Sequence, residues 1–217
     1  MCIRDSLLAA SISLIHAIPS YYIPSIIGVG IPVIVLVLFL QVIISNMKYN
    51  FKDIAITLFG ICYIVVFLMF IPLLRGIQYG NLLIWYIFAA AWGTDIMAYL
   101  VGRAFGKHKF SKVSPNKSVE GCIGGTIGAI LLMGLLTFVY NTYFGMDFSY
   151  GFIVIVSVVL SAIGQIGDFA ASSIKRYTGI KDFSNLIPGH GGLLDRIDSV
   201  IFIAPFAYVL FSLMFGG

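Results

Sequence analysis

Charged residues are scarce in this sequence, and their scarcity excludes an ordinary soluble fold. Only 10% of the 217 residues are Asp, Glu, Lys or Arg, whereas 60% are hydrophobic. A soluble domain carries roughly a quarter charged residues. Since roughly 20 consecutive apolar residues cross a bilayer, we predict an all-α, polytopic integral membrane protein with six or seven transmembrane helices.

Cysteine is also rare, and several catalytic motifs are missing. Cys2, Cys62 and Cys122 have no CxxC or Cys/His spacing, so the sequence predicts no disulfide framework. No GxxxxGK[ST], HExxH or GxSxG motif occurs. P-loop enzymes, zinc proteases and serine hydrolases therefore find no support.

Long apolar runs define the predicted spans. They cover residues 23–45, 54–74, 79–101, 121–143, 150–171 and 200–215. A further run, 7–18, is too short to span a bilayer, and we interpret it as the truncated first of about seven transmembrane helices. Residues 1–6 have charge and no periodicity, so they are left out of the fold prediction. The GxxxG spacings between residues 121 and 128 predict close helix packing.

The few basic residues are unevenly distributed. If the helices alternate in direction, 12 of the 13 Lys and Arg residues lie on one side of the membrane, and only Arg75 lies on the other. The positive-inside rule places that basic side in the cytoplasm and the C-terminus outside. This clean sorting favours seven segments over six. It also explains the net charge of +4 without nucleic-acid binding.

Charge is concentrated in residues 173–199, between two apolar runs. Seven of the 22 charged residues of the chain fall there: Lys175, Arg176, Lys181, Asp182, Asp195, Arg196 and Asp198. A Pro-Gly-His-Gly-Gly turn at 188–192 offers backbone N–H groups that can approach an anion closely. Its His190 is expected either to bind a phosphate or to shape the turn.

Two acidic residues fall inside the ends of apolar runs. Asp95 shares a helix face with Tyr99 and Gly102, and Asp168 belongs to a polar stripe. The members of that stripe are Ser161, Gln165, Asp168, Ser172 and Lys175. Such stripes face protein or a water-filled cavity rather than lipid. The stripe could merely join helices by hydrogen bonds, but a neutral Asn would do so at lower cost than Asp168.

Asp195 and Asp198 precede the last apolar run. A helix N-terminus favours acids, which would account for one of them. The connecting loop can also bring Asp168 to Asp195, and converging carboxylates suit Mg²⁺, which is commonly completed by substrate phosphates. Carboxylates for a metal beside Lys and Arg form the arrangement that a nucleoside triphosphate needs.

The 173–198 stretch, with SxxKR, KD, PGHGG and DRxDS at fixed spacing, closely resembles the signature of phosphatidate cytidylyltransferases, also called CDP-diacylglycerol synthases. The segments WGTDIMAYLVG at 92–102 and SPNKSVEG at 114–121 are similar to that family's upstream block. Together they cover about the last 130 residues, and the first 90 match only in hydrophobicity. The chain would then be one transmembrane catalytic domain, 1–217, with N-terminal helices in 7–90 and the active site in 91–217.

The resemblance implies that CTP and phosphatidate react to CDP-diacylglycerol and diphosphate in phospholipid biosynthesis. It implies Mg²⁺, with K⁺ able to share the site, and a multi-pass homodimer in the inner or plasma membrane with the site facing the cytoplasm. Asp168 and Asp195 would ligate the metal. The other residues assigned to catalysis or to nucleotide and phosphate binding are Asp95, Ser114, Lys117, Glu120, Lys175, Arg176, Lys181, Asp182, His190, Gly191, Gly192, Arg196 and Asp198.

Two alternatives remain from the sequence. A CDP-archaeol synthase or a dolichol-kinase-like enzyme would use the same kind of lipid and nucleotide site. An ion-coupled transporter would need acids near mid-span and internal repeats, whereas Asp95, Asp168 and Asp195 cluster towards one end of their segments.

Overall fold

A computed structural model describes residues 19–45, 49–109, 114, 117–184 and 192–215. The described residues form helices and no strand, apart from one isolated bridge between Lys109 and Ser118. The helices are α1 (Ile23–Ile44), α2 (Phe51–Ile61), α3 (Phe70–Arg75), α4 (Gly80–Phe105), α5 (Val119–Tyr143), α6 (Tyr150–Tyr177) and α7 (Leu194–Phe215).

Six stretches of the described residues are long and apolar enough to cross a membrane: Ser20–Ile44, Phe51–Arg75 and the four helices α4 to α7. The predicted all-α, polytopic membrane architecture is confirmed. The seventh predicted segment, 7–18, lies outside the described residues.

The second span combines three helical pieces. Asn50 caps α2 by accepting hydrogen bonds from the N–H groups of Lys52 (2.8 Å) and Asp53 (3.2 Å), and Asp53 accepts one in return from the Asn50 N–H (2.8 Å). This reciprocal capping box fixes the start of the helix. After Ile61 the helix widens into a π-helical turn, Cys62–Val66, and then continues towards α3. That turn places Tyr63 in the protein interior.

Helices α4 and α5 pack through glycines, as the GxxxG spacing predicts. A Cβ atom on Gly93 would lie 2.8 Å from the Gly128 carbonyl oxygen, and one on Gly125 would lie 2.8 Å from the Thr94 carbonyl oxygen. A Cβ on Gly121 would meet the carbonyl oxygen of Ala98 at 2.9 Å. Because only hydrogen fits at these positions, the two backbones touch and their polar ends lie side by side.

The main core lies among α3 to α7, with Tyr86 of α4 at its centre. Tyr86 is fully buried, and its hydroxyl forms a hydrogen bond with the Thr137 hydroxyl at 2.8 Å. Met133, Leu160 and Phe211 bring α5, α6 and α7 into the same cluster. Helix α1 is peripheral, because Ile23 is its only buried residue.

Helices α4, α6 and α7 extend beyond the apolar runs. The sequence places the end of one run at residue 171 and the start of the next at 200, but α6 continues to Tyr177 and α7 already begins at Leu194. Basic Lys175 and Arg176 occupy the last turn of α6, and Asp195 occupies the first turn of α7. These charges complement the helix dipoles, so the helices continue where hydrophobicity ends.

Candidate active site

A cavity of about 340 Å³ opens between the polar ends of α4, α5 and α6. Its lining residues are Thr94, Asp95, Ala98, Tyr99, Ser114, Lys117, Ser118, Gly121, Cys122, Gln165 and Asp168. The predicted residues Asp95, Ser114, Lys117 and Asp168 therefore meet at one site. This volume lies in the range of small-molecule pockets.

Lys117 and Asp168 form an ion pair inside this cavity. Lys117 Nζ lies 2.5 Å from Asp168 Oδ2, and the two side chains are 28% and 20% exposed. The lysine also lies over the ring of Phe169, 4.6 Å from its centroid. Lys117 comes from the segment before α5, so the pair ties that segment to α6.

Beneath Asp168, hydrogen bonds join α4, α5 and α6. The Thr94 hydroxyl donates to Ser161 Oγ at 2.9 Å, and Ser161 Oγ donates to Thr126 Oγ1 at 3.3 Å. The Gln165 side-chain amide donates to the Cys122 carbonyl oxygen (3.2 Å), to Thr126 Oγ1 (3.4 Å) and to Ser161 Oγ (3.2 Å). Ser161 and Gln165 therefore join helices, whereas Asp168, on the same stripe, pairs with Lys117 in the cavity.

Asp195 is held by three donors. Its Oδ1 accepts a hydrogen bond from Lys175 Nζ at 2.8 Å, and its Oδ2 accepts bonds from the N–H groups of Phe183 and Gly192, both at 2.9 Å. The side chain of Asp195 is only 5% exposed and that of Lys175 only 14%. Asp195 therefore joins the end of α6 to chain positions on both sides of the 185–191 segment.

Asp198, one turn further along α7, is the acid that meets Asp168. The two carboxyl groups lie close enough to interact directly, and Asp198 Oδ1 accepts the Ser199 N–H at 2.9 Å. Asp95 lies within electrostatic range of Asp168 and of Lys117. Adjacent carboxylates repel each other unless a proton or a cation lies between them. The acids therefore converge on Asp168 from α4 and α7.

These carboxylates suit a hard cation, although they do not form a complete protein cage. Among the described residues, no group of three His, Cys, Asp or Glu side chains is close enough to hold a metal ion. Mg²⁺ is usually bound by one or two carboxylates and completed by water and substrate phosphates. Asp168 and Asp198 meet that requirement, whereas all three donors at Asp195 compete with a metal.

Glu120 does not line the cavity. It accepts hydrogen bonds from the N–H groups of Lys107 (3.2 Å) and His108 (3.3 Å), and its Oε1 lies 2.6 Å from His108 Nδ1. It borders a separate apolar groove with Met97 and Ile123. Glu120 thus fastens the start of the α4–α5 connection to α5.

The remaining predicted residues lie outside the cavity or outside the described residues. Arg176, Lys181 and Arg196 are exposed, Asp182 is half-buried, and Gly192 is buried beside Ser184. A Cβ on Gly192 would lie 3.0 Å from the Ser184 nitrogen, so the close approach requires glycine. His190 and Gly191 lie outside the described residues.

Tyr63, in the second span, is not among the residues that the sequence pattern singles out. Its side chain packs in one cluster with Ala171 of α6 and with Leu194 and Ile201 of α7, within electrostatic range of Asp198 and Asp168. A tyrosine within an apolar run carries no signal of a site, and only the packing of the helices reveals its position.

A sequence profile described as the cytidylyltransferase family matches residues 3–214. The chain belongs to the cytidylyltransferase family. Similar curated proteins include the phosphatidate cytidylyltransferase of Bacillus subtilis (strain 168), 37% identical over 182 residues, which are 83% of this chain and 66% of that protein. Those of Staphylococcus haemolyticus and Staphylococcus aureus (strain COL) are 36% and 37% identical over 171 residues, 77% of this chain and 63% of each relative. The matches thus span slightly less than two thirds of these relatives.

Proposed function

We propose that this chain transfers the cytidylyl group of CTP to phosphatidate, giving CDP-diacylglycerol and diphosphate. The observation that carries the proposal is the convergence of Asp168, Asp198 and Lys117 at the polar ends of apolar helices. At that level a water-soluble nucleotide and the headgroup of a membrane lipid can meet. Membership of the cytidylyltransferase family and the names of the bacterial relatives support the same reaction.

The proposed reaction is one phosphoryl substitution. A phosphate oxygen of phosphatidate forms a bond to the α-phosphorus of CTP, and the bond from that phosphorus to the bridging oxygen of the β-phosphate breaks. The electron pair leaves with diphosphate. The phosphatidate phosphate is already anionic near neutral pH, so the reaction needs no general base.

In this proposal, Asp168 and Asp198 hold Mg²⁺, and Asp95 contributes negative charge beside them. The ion would supply charge neutralisation on the triphosphate oxygens. Asp195, which the family resemblance names as a metal ligand, would instead hold Phe183 and Gly192 in place. Once a cation replaces Lys117 at Asp168, the lysine can bind a phosphate oxygen instead, because its side chain is partly exposed.

The decisive experiment uses purified protein with phosphatidate, Mg²⁺ and CTP, and detects the lipid product by mass spectrometry. We expect CDP-diacylglycerol with the wild type, loss of product on chelation, and at least about a hundredfold lower kcat in Asp168→Asn, because one of the two carboxylates that would hold Mg²⁺ is lost and with it the charge neutralisation that the ion supplies. Asp147→Asn is the matched control, since Asp147 is exposed in the connection between α5 and α6.

Other outcomes would assign the chain differently. A phosphorylated lipid with release of CDP would indicate a kinase of the dolichol-kinase type. Product only from an archaeal ether lipid would indicate a CDP-archaeol synthase. Full activity of Asp168→Asn with phosphatidate would reject the proposed site.

The homodimer and the cytoplasmic orientation are further proposals. The dimer rests on the family resemblance, and the mass of the detergent-solubilised complex would test it. The orientation rests on the basic residues, most of which share the side of the membrane that carries the cavity.

A further inference from the structure

Tyr63 carries a buried polar group for which the described part of the fold provides no partner. Its side chain is only 6% exposed, and within the described residues its hydroxyl makes no hydrogen bond. A donor buried away from water without an acceptor costs free energy, so each such group calls for an explanation. The residue also lies in the π-helical turn Cys62–Val66, and π-bulges occur frequently at functional sites.

The surroundings of Tyr63 connect it to the acidic residues. Its ring packs against Phe202 of α7, with centroids 5.6 Å apart. Phe202 in turn lies against Gly167 of α6, where an added Cβ would be 2.9 Å from the Phe202 Cβ. Gly167 directly precedes Asp168, and Phe202 is one helical turn after Asp198. Both acids, Asp198 and Asp168, lie within electrostatic range of the Tyr63 hydroxyl.

The unpaired Tyr63 hydroxyl needs a hydrogen-bond acceptor, and this requirement limits which ligand can pair with it. A bare cation brings no acceptor, so it would leave the O–H proton unpaired. A phosphate group carries only acceptor oxygens at neutral pH, and it is attracted to the same place if a cation is bound by Asp168 and Asp198. Lys117 and Lys175 are already paired with Asp168 and Asp195.

We propose that the Tyr63 hydroxyl donates a hydrogen bond to a phosphate oxygen bound beside Asp168 and Asp198. Tyr63 is then a substrate-binding residue that the second span contributes to a site otherwise built from α4 to α7. The inference rests on the proposed function for the source of the phosphate, which is either the triphosphate of CTP or the headgroup of phosphatidate.

The test compares Tyr63→Phe with Tyr86→Phe, since each variant removes one buried hydroxyl. Tyr86 bonds Thr137 in the core, away from the cavity. We expect Tyr63→Phe to keep or raise the unfolding temperature of the free protein and to weaken phosphate binding about tenfold, the effect of losing a hydrogen bond to a charged group. Tyr86→Phe should lower the unfolding temperature and leave substrate affinity unchanged.

Separate measurements identify the source of the phosphate. A rise confined to KM for CTP assigns the contact to the triphosphate, and a rise confined to KM for phosphatidate assigns it to the lipid. CTP and phosphatidate binding are also measured by ligand-induced shifts of the unfolding temperature with Mg²⁺, whether or not product forms.

Two results would overturn the inference. One is unchanged affinity of Tyr63→Phe for both substrates, and the other is a change confined to the Mg²⁺ concentration that gives half-maximal activity. If the wild type binds both substrates but forms no product, the proposed reaction fails, while a binding difference between wild type and Tyr63→Phe still supports the contact.

Discussion

At the scale of single residues, the ion pair between Lys175 and Asp195 joins the last turn of α6 to the first turn of α7. Both side chains are nearly inaccessible to water, and the aspartate also accepts two backbone N–H groups. A buried pair contributes little net stability relative to apolar residues, but removing one partner leaves an uncompensated charge. The lysine therefore matters chiefly because the aspartate is buried.

We expect Lys175→Met to lower the free energy of unfolding by about 3 kcal/mol, because Asp195 then remains buried with only its neutral donors. Methionine keeps the apolar stem of the lysine, so the change isolates the charge. Lys52→Met, at an exposed position in the first turn of α2, should change stability by less than about 0.5 kcal/mol. Denaturant unfolding in detergent measures both.

An equal, small effect in the two variants would show that the N–H groups of Phe183 and Gly192 satisfy Asp195 without the lysine. A loss in Lys175→Met that Lys175→Arg restores would support the charge as the cause.

The sequence predicts which acids are unusual, but it does not predict their partners. Asp168 stands out because it interrupts an apolar run. Asp195 and Asp198 are three positions apart on one helix face, so spacing alone cannot decide which of them meets α6. The packing of α7 brings Asp198 to Asp168 and leaves Asp195 with Lys175. The position of Tyr63 has no sequence signal at all.

At the scale of secondary-structure elements, the α4–α5 contact determines the width of the cavity. Gly93 and Gly128 touch backbone to backbone between the cavity and the opposite ends of the two helices. A Cβ on Gly128 would overlap the Gly93 carbonyl oxygen and the side chain of Met97. Backbone atoms cannot move aside as a flexible side chain can, so the helices would have to separate.

We therefore expect Gly128→Ala to lower the free energy of unfolding by about 1–3 kcal/mol, the usual cost of overpacking. Gly134→Ala is the matched control in the same helix, because no atom lies within 4 Å of its added Cβ. Alanine has a higher helix propensity than glycine, so Gly134→Ala should stabilise the protein by up to about 1 kcal/mol. Unfolding in detergent compares the two. A loss of the same size at both positions would contradict glycine packing at the crossing.

Hydrophobic runs predict where helices cross the membrane better than where they end. The apolar runs identify all six spans of the described residues. A long apolar segment in lipid must satisfy its backbone hydrogen bonds internally, so each run forms a helix. The helix ends depend instead on caps and dipoles. Ser118, for example, starts α5 by accepting the Gly121 N–H at 3.1 Å, and Lys175 and Arg176 sustain the last turn of α6.

At the scale of the whole molecule, the two membrane faces differ in charge. One face carries the start of α2, the α4–α5 and α6–α7 connections and the cavity, and with them the described basic residues other than Arg75. Arg75 bonds Asn81 at 3.0 Å on the opposite face, where the short α5–α6 connection carries Asp147. Basic residues that resist translocation therefore lie on the same face as those that would bind phosphate.

The uneven distribution of basic residues predicts which single-cysteine variants can be labelled from outside intact bacterial cells. With Cys2, Cys62 and Cys122 replaced by alanine, Asp147→Cys should react with a membrane-impermeant maleimide from outside. Lys52→Cys should react only after permeabilisation. Both positions are exposed, so accessibility differs only through the membrane. The reverse pattern would place the cavity outside the cell, where CTP is absent, and would contradict the proposed function together with the orientation. Labelling of both positions in intact cells would instead show that the chain inserts in two orientations. The excess of basic residues on one face would then be too small to determine a single orientation.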